Sequence, residues 1–180
     1  DRWYTKNLYN LSWCYFQTKD YDKSVNLALK AYHASNTKQY ENVADMSMDA
    51  LDYFYVFLKK PELGVQFHIK YNKNALNRME HFLNLINRSK RFISSEVALQ
   101  TEKPTRKFCK ETNDQLCLLN LSAIKLDIYR ENKDYVQHYT LVRDSLAEFK
   151  AVKKLKLPID QEVLNGMINN IGEMASTYQQ

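Results

Sequence analysis

The sequence predicts an all-helical chain, a stack of antiparallel helix pairs, and three observations point there. Its 180 residues include only three Gly and three Pro, where average usage gives about 12% between them. Apolar residues recur at helical spacing, as in Leu8, Leu11 and Tyr15, then Val25, Ala28, Leu29 and Tyr32. Short polar breaks such as Lys19-Asp20-Tyr21 separate these stretches, and a turn that short makes consecutive helices antiparallel. The same scarcity excludes other classes. Sandwiches and barrels need a turn signal every ~8 to 12 residues, and nucleotide-binding loops need clustered glycines, whereas Gly64 stands alone and Gly166 and Gly172 form no such motif.

About nine helices are expected, over 2–18, 21–35, 38–58, 61–74, 75–91, 94–103, 106–131, 134–156 and 160–178. Asp20 is placed to cap the second. Pro61 marks a junction. Leu76, Met79, Leu83 and Ile86 form one stripe that Ile93 and Val97 continue in phase, so residues 75–110 read either as one long helix or as a degenerate pair broken at Ser94-Ser95-Glu96. Pro104 is expected to end whatever precedes it, because a proline disfavours helix at the residue before it. The helices group into units 2–35, 38–74, 75–103 and 106–156, with a terminal helix 160–178, in a single domain over 1–180.

Leu8, Leu11, Ser12, Tyr15, Asp20-Tyr21, Ser24, Ala28 and Ala31 fall at the spacing of the tetratricopeptide repeat, which the chain resembles. Large positions fill the gap between helix pairs there, and small ones let two helices approach closely. A shift of 40 residues brings Met48, Leu51, Tyr55, Gly64, His68 and Tyr71 into the register. A shift of 114 brings Tyr129, Lys133-Asp134-Tyr135, Val142 and Ser145, and one of 160 brings Ile168, Ile171-Gly172 and Ala175. Internal repetition of this kind marks stacked helix pairs. The resemblance implies a right-handed superhelix whose first helices line a concave groove for a protein or peptide segment.

On that register Lys6, Tyr9, Asn10 and Trp13 face the groove, followed by Asp49 and Tyr53, Asn120 and Asp127, and Asn169, Asn170 and Glu173. Aromatic rings there anchor side chains while amides bond a peptide backbone. Family members that grip a C-terminal carboxylate use a Lys, Asn and Arg clamp. Trp13, Tyr53, Asp127 and Glu173 stand at comparable places, so an apolar or mildly basic segment suits this groove better.

Net charge is +5, with residues 59–111 carrying 12 basic against 5 acidic side chains. Arg88, Arg91, Arg106, Lys107 and Lys110 in that segment make nucleic acid the alternative partner; a solvated helix face is the plainer account. No enzyme is expected, and no cofactor or metal. His68 and His81 have no zinc-site spacing around them, and pairs such as Asp49 with Asp52 read as solvated helix faces. Cys14, Cys109 and Cys117 read as small core residues; if Cys109 and Cys117 shared a helix they would stand ~12 Å apart, too far to bridge. No apolar run approaches the ~20 residues that span a bilayer. The chain starts at Asp1 and is expected to be a piece of a longer protein. Its composition resembles the helical-repeat input regions of bacterial signalling proteins, which leaves a periplasmic or a cytoplasmic location open.

Overall fold

The computed structural model describes residues 2–35, 41–154 and 169, and all regular structure among them is helical. Eight helices follow in order: α1 Arg2–Gln17, α2 Tyr21–Ser35, α3 Glu41–Phe57, α4 Pro61–Tyr71, α5 Ala75–Phe92, α6 Ser95–Glu111, α7 Gln115–Glu131 and α8 Tyr135–Lys154. The expected terminal helix, 160–178, lies outside the described residues except for Asn169, which is helical and exposed. No described helix is long and apolar enough to cross a membrane. The chain divides into two units, Asp1–Pro104 and Thr105–Gln180.

In the first unit α1 packs on α2 and α3, α2 on α3, and α3 and α4 both on α5. Leu51, Phe54 and Ala50 of α3 are fully buried, with Ala28 and Tyr32 of α2 and Phe67 of α4 around them. Burial of each large side chain stabilises the unit by about 1.5–3 kcal/mol. The small positions of the register behave as close-packing demands. Ser12, Ser24, Ala28 and Ala31 have no exposed surface, and the two hydroxyls are satisfied within their own helices, donating to the carbonyls of Tyr9 at 2.6 Å and Tyr21 at 2.7 Å. Gly64 of α4 has a similar reason to be small: a Cβ there would lie 2.8 Å from the buried Leu85 of α5.

Four helix ends share one turn. Lys19, Lys59, Asn113 and Lys133 adopt left-handed φ values of 64°, 59°, 53° and 57°. At each, this residue's N–H and the next one's fold back onto the helix just ended. Asp20 N bonds Tyr15 O at 2.9 Å, Lys60 N bonds Tyr55 O at 2.9 Å, Asp114 N bonds Cys109 O at 2.8 Å and Asp134 N bonds Tyr129 O at 2.9 Å. These satisfy carbonyls that a helix end would otherwise orphan. Three of the residues that close one helix also open the next, since the carboxylates of Asp20, Asp114 and Asp134 accept from Lys23 N, Cys117 N and Gln137 N. From the first turn to the second is 40 residues and from the first to the fourth is 114, the shifts read from side-chain pattern.

Two boundaries differ from expectation, and residues 75–110 are settled as two helices. The break falls at Ile93 and Ser94, where Ser94 Oγ caps α6 by accepting from Val97 N at 3.2 Å. Pro104 does not end α6, which runs through it to Glu111. A proline inside a helix forfeits one backbone bond, and here about two and a half turns on its N-terminal side and nearly two beyond carry the helix past it. The stop comes instead at Thr112-Asn113-Asp114, so the expected 106–131 helix is two. That stop also overturns the reading of the cysteines. Cys109 ends one helix, Cys117 begins the next, and the intervening turn brings their Cα atoms to 6.0 Å in a disulfide. Cys14 is free and exposed, not a core residue.

Left-handed φ disfavours a residue with a Cβ by about 1–2 kcal/mol, and Lys occupies that conformation in three of the four turns. Lys59→Gly should therefore stabilise the protein by about 1 kcal/mol, read as a higher urea midpoint with unchanged slope. Lys60→Gly, one position on, should not.

Candidate functional site

Asp49, Asp52 and Tyr53 lie at i, i+3 and i+4 on α3, so they share one face. His81 and Arg88 lie seven apart on α5 and share another. Packing of α3 against α5 and α4 brings these faces together with His68 of α4. Asp52 is fully buried. One carboxylate oxygen accepts from His68 Nε2 at 2.7 Å and the other from His81 Nδ1 at 2.6 Å. The two imidazoles stack in parallel, 4.2 Å between centroids.

Arg88 completes the arrangement. Its Nη2 donates to Asp49 Oδ1 at 2.7 Å, its Nη1 stands 3.9 Å from Asp52 Oδ2, and its guanidinium lies 3.9 Å above the Tyr53 ring. Burial opposes ionisation of Asp52, but the charge of His68 and the hydrogen bonds from both histidines outweigh it and hold the carboxyl below its ordinary range. Burial likewise opposes the charged form of both histidines. For His81 the bond to Asp52 and the nearby acids win, and its pKa is raised. For His68 burial wins, and its pKa is lowered. A proton is therefore held more readily on His81 than on His68.

Asp52, His68 and His81 also form a donor set suited to a metal ion, their ligating atoms lying within 4.8 Å of one another. Both Asp52 oxygens, His68 Nε2 and His81 Nδ1 are used in short hydrogen bonds, while His68 Nδ1 is buried without a partner among the described residues. Arg88, so close to one of the same oxygens, disfavours another positive centre. The arrangement supports a staple joining three helices. It corrects the reading of Asp52 as a solvated helix-face residue, because Asp52 has no solvent contact, while the half-exposed Asp49 is paired with Arg88.

Of the expected groove residues, the structure brings Trp13 of α1 and Tyr53 of α3 together. Trp13 is half-buried, its ring 6.1 Å from Tyr53 and 5.0 Å from Phe54, and its Nε1 is closed off without a hydrogen-bond partner. Tyr9 packs beside the same core, while Lys6 and Asn10 are exposed. In the second unit Asn120 donates to the Leu116 carbonyl and Asp127 pairs with Arg130 at 2.7 Å. Asn170 and Glu173 lie outside the described residues. The basic residues are variously engaged. Arg88 is committed to Asp49 and Tyr53, and Arg91 lies over the Phe92 ring at 5.3 Å. Arg106 donates to Ser122 Oγ, Lys107 stands 3.9 Å from Glu111, and Lys110 is exposed.

The sequence reading missed Asp52, His68 and His81 as a group. One signal was present: Asp52 interrupts an otherwise apolar run from Ala50 to Leu58, and a carboxylate in such a run needs a buried partner. No family model, curated protein or solved structure matches this chain.

Asp52→Ala should destabilise the protein by about 3–5 kcal/mol, because it leaves a buried charge unpaired. The linkage of the histidines has opposite signs. The raised pKa of His81 gives stability that is full below 6.5 and is lost as pH rises through its folded value. The lowered pKa of His68 gives stability present above 6.5 and lost as pH falls through its folded value. Denaturant unfolding across pH 5 to 8 should therefore show a maximum near neutrality, about pH 6.5, that flattens in Asp52→Ala. An unshifted urea midpoint in that variant would remove the staple.

Proposed function

We propose that the chain is a tetratricopeptide-like solenoid of antiparallel helix pairs that binds a protein or peptide segment and catalyses no reaction. The recurrence of one turn at the shifts of the side-chain pattern supports the repeat reading. The observation that carries the binding role is a row of side chains across α1, α3 and α5. Trp13, Tyr53 and Phe92 follow one another at 6.1 and 6.3 Å between ring centroids, and Arg88 lies on the middle ring. Tyr53 is half-buried and Phe92 is 43% exposed, so the row offers apolar area while Arg88 is held in one geometry by Asp49. Rigid aromatic and Arg side chains are the residue types that dominate peptide and protein interfaces. Ordering was completed on folding, so little is lost again on binding.

A non-catalytic role is supported by the burial of the histidine–carboxylate cluster, where Asp52 and His68 have no exposed surface for a substrate to reach. The composition supports placing the module in a larger bacterial signalling protein, as the region that senses a partner. Nucleic acid is the less favoured partner. Of the five cations it would use, Arg88 and Arg106 are half-buried and engaged with side chains of their own units.

A random peptide library selected on the purified protein tests the reading. Selected peptides should bind Tyr53→Ala and Arg88→Lys about tenfold or more weakly than the parent, while Lys6→Ala should bind within about twofold of it. Peptides that bind both row variants as tightly as the parent would overturn the site. Single-stranded RNA bound with steep salt dependence, and no peptide selected, would shift the function to the alternative.

A further inference from the structure

A cavity of about 560 Å³ opens where Tyr32 of α2, the first turns of α3 and the α4–α5 connection meet. Small-molecule sites span roughly 300–1,000 Å³. One side is apolar. The Tyr32 and Tyr71 rings stand 6.0 Å apart at 61°, with Met48 and Ala44 beside them. The other side is a wall of amides from Asn72, Asn74 and Asn77. That wall is fixed before any ligand arrives. Asn72 Nδ2 donates to Asn77 Oδ1 at 2.6 Å, Asn74 Oδ1 accepts from Asn77 N at 3.1 Å, and Arg78 donates to the Asn72 carbonyl at 2.8 Å.

These bonds leave Asn72 Oδ1 as an acceptor and the Asn74 and Asn77 amide groups as donors. Among the described residues the Tyr32 hydroxyl reaches only the Tyr71 carbonyl, at a long 3.4 Å. Asp45, also in the lining, is exposed and has no hydrogen bond or ion pair among the described residues. Lys73 is directed away, its Nζ donating to the Lys70 carbonyl at 3.0 Å. The site therefore offers mixed donors and acceptors, one carboxylate, and aromatic area.

We infer that this cavity binds a neutral saccharide, with ring hydroxyls on the amide wall, the Tyr32 hydroxyl and Asp45 and a C–H face against the half-buried Tyr71. A hydroxyl both donates and accepts, as the uncommitted groups require. An amino acid or peptide terminus would need a cation for its carboxylate, and Lys73, the one cation among the described lining residues, holds its Nζ on the Lys70 carbonyl. A nucleobase sandwiched between Tyr32 and Tyr71 would need parallel rings, and these two are steeply inclined. The site is separate from the α1–α3–α5 row and stands on different residues.

Saturation-transfer NMR and thermal unfolding of the whole chain with mono- and disaccharides at about 10 mM test it, since a ligand that binds the folded state raises its melting temperature. At least one sugar should give both signals. Tyr32→Phe, which keeps the ring, and Asp45→Ala, at an exposed position with no bonds to lose, should each weaken that sugar about tenfold. Asp45→Ala should do so without altering the melting temperature of the free protein. No response to any sugar overturns the inference, as does a response that both variants retain. A response to dipeptides or free amino acids in place of sugars overturns it as well.

Discussion

A single buried carboxylate holds the middle of the first unit together. Asp52 has no exposed surface, and its two oxygens are divided between histidines on two further helices. An ionised carboxylate without partners is too costly in such a place, so the positions of α4 and α5 relative to α3 are fixed by where His68 and His81 can reach it. Apolar packing alone would tolerate small slides of one helix along another; two short hydrogen bonds from parallel imidazoles do not. The opposite pKa shifts of the two histidines express the same constraint, because the carboxylate outweighs burial at His81 while burial prevails at His68.

The exposed face depends on this interior. Asp49, Asp52 and Tyr53 are successive positions on the α3 face that meets α5, so the contact that buries Asp52 also delivers Arg88 to Asp49 and to the Tyr53 ring. A guanidinium held by a carboxylate and an aromatic ring has lost its freedom before any partner arrives, which lowers the entropy cost of binding. Trp13 stands at the buried end of the row and Phe92 at the open end. An arginine that looks like a phosphate ligand when counted in a basic segment is a positioned part of an aromatic surface once its neighbours are known.

Helix order and most helix ends were legible in the chain because they depend on local chemistry. Asp20, Asn74 and Asp134 cap helices through bonds that span three residues, and such short-range patterns survive in sequence, though the same cap at Asp114 was passed over. Pro104 misled because its cost is a single backbone bond, which a helix of 17 residues sustains. The cysteines misled for a related reason. Their separation along a continuous helix forbids a bond, and only the turn at Thr112 to Asp114 makes them neighbours. Lysine in left-handed turns also explains how a chain with three glycines can close so many helices, since residues with a Cβ occupy positions that glycine would take at lower cost.

The candidate sites were less legible, because they join residues far apart in the chain. Trp13 and Tyr53 were within reach of a repeat register, and the structure does bring them together. Asp52, His68 and His81 are 16 and 13 positions apart, spacings that match no local motif, and the cavity beside Tyr32 draws on α2, α3 and the connection before α5. Sequence by itself determined that the chain is helical, where most of its turns fall and which positions must be small, since hydrophobic period, caps and side-chain volume act over a few residues. Tertiary structure alone decided which acid is buried, which histidine is the easier to protonate, that two cysteines are joined and that Arg88 is a clamp. Those are matters of distance and dielectric between separate helices, and no one helix contains them.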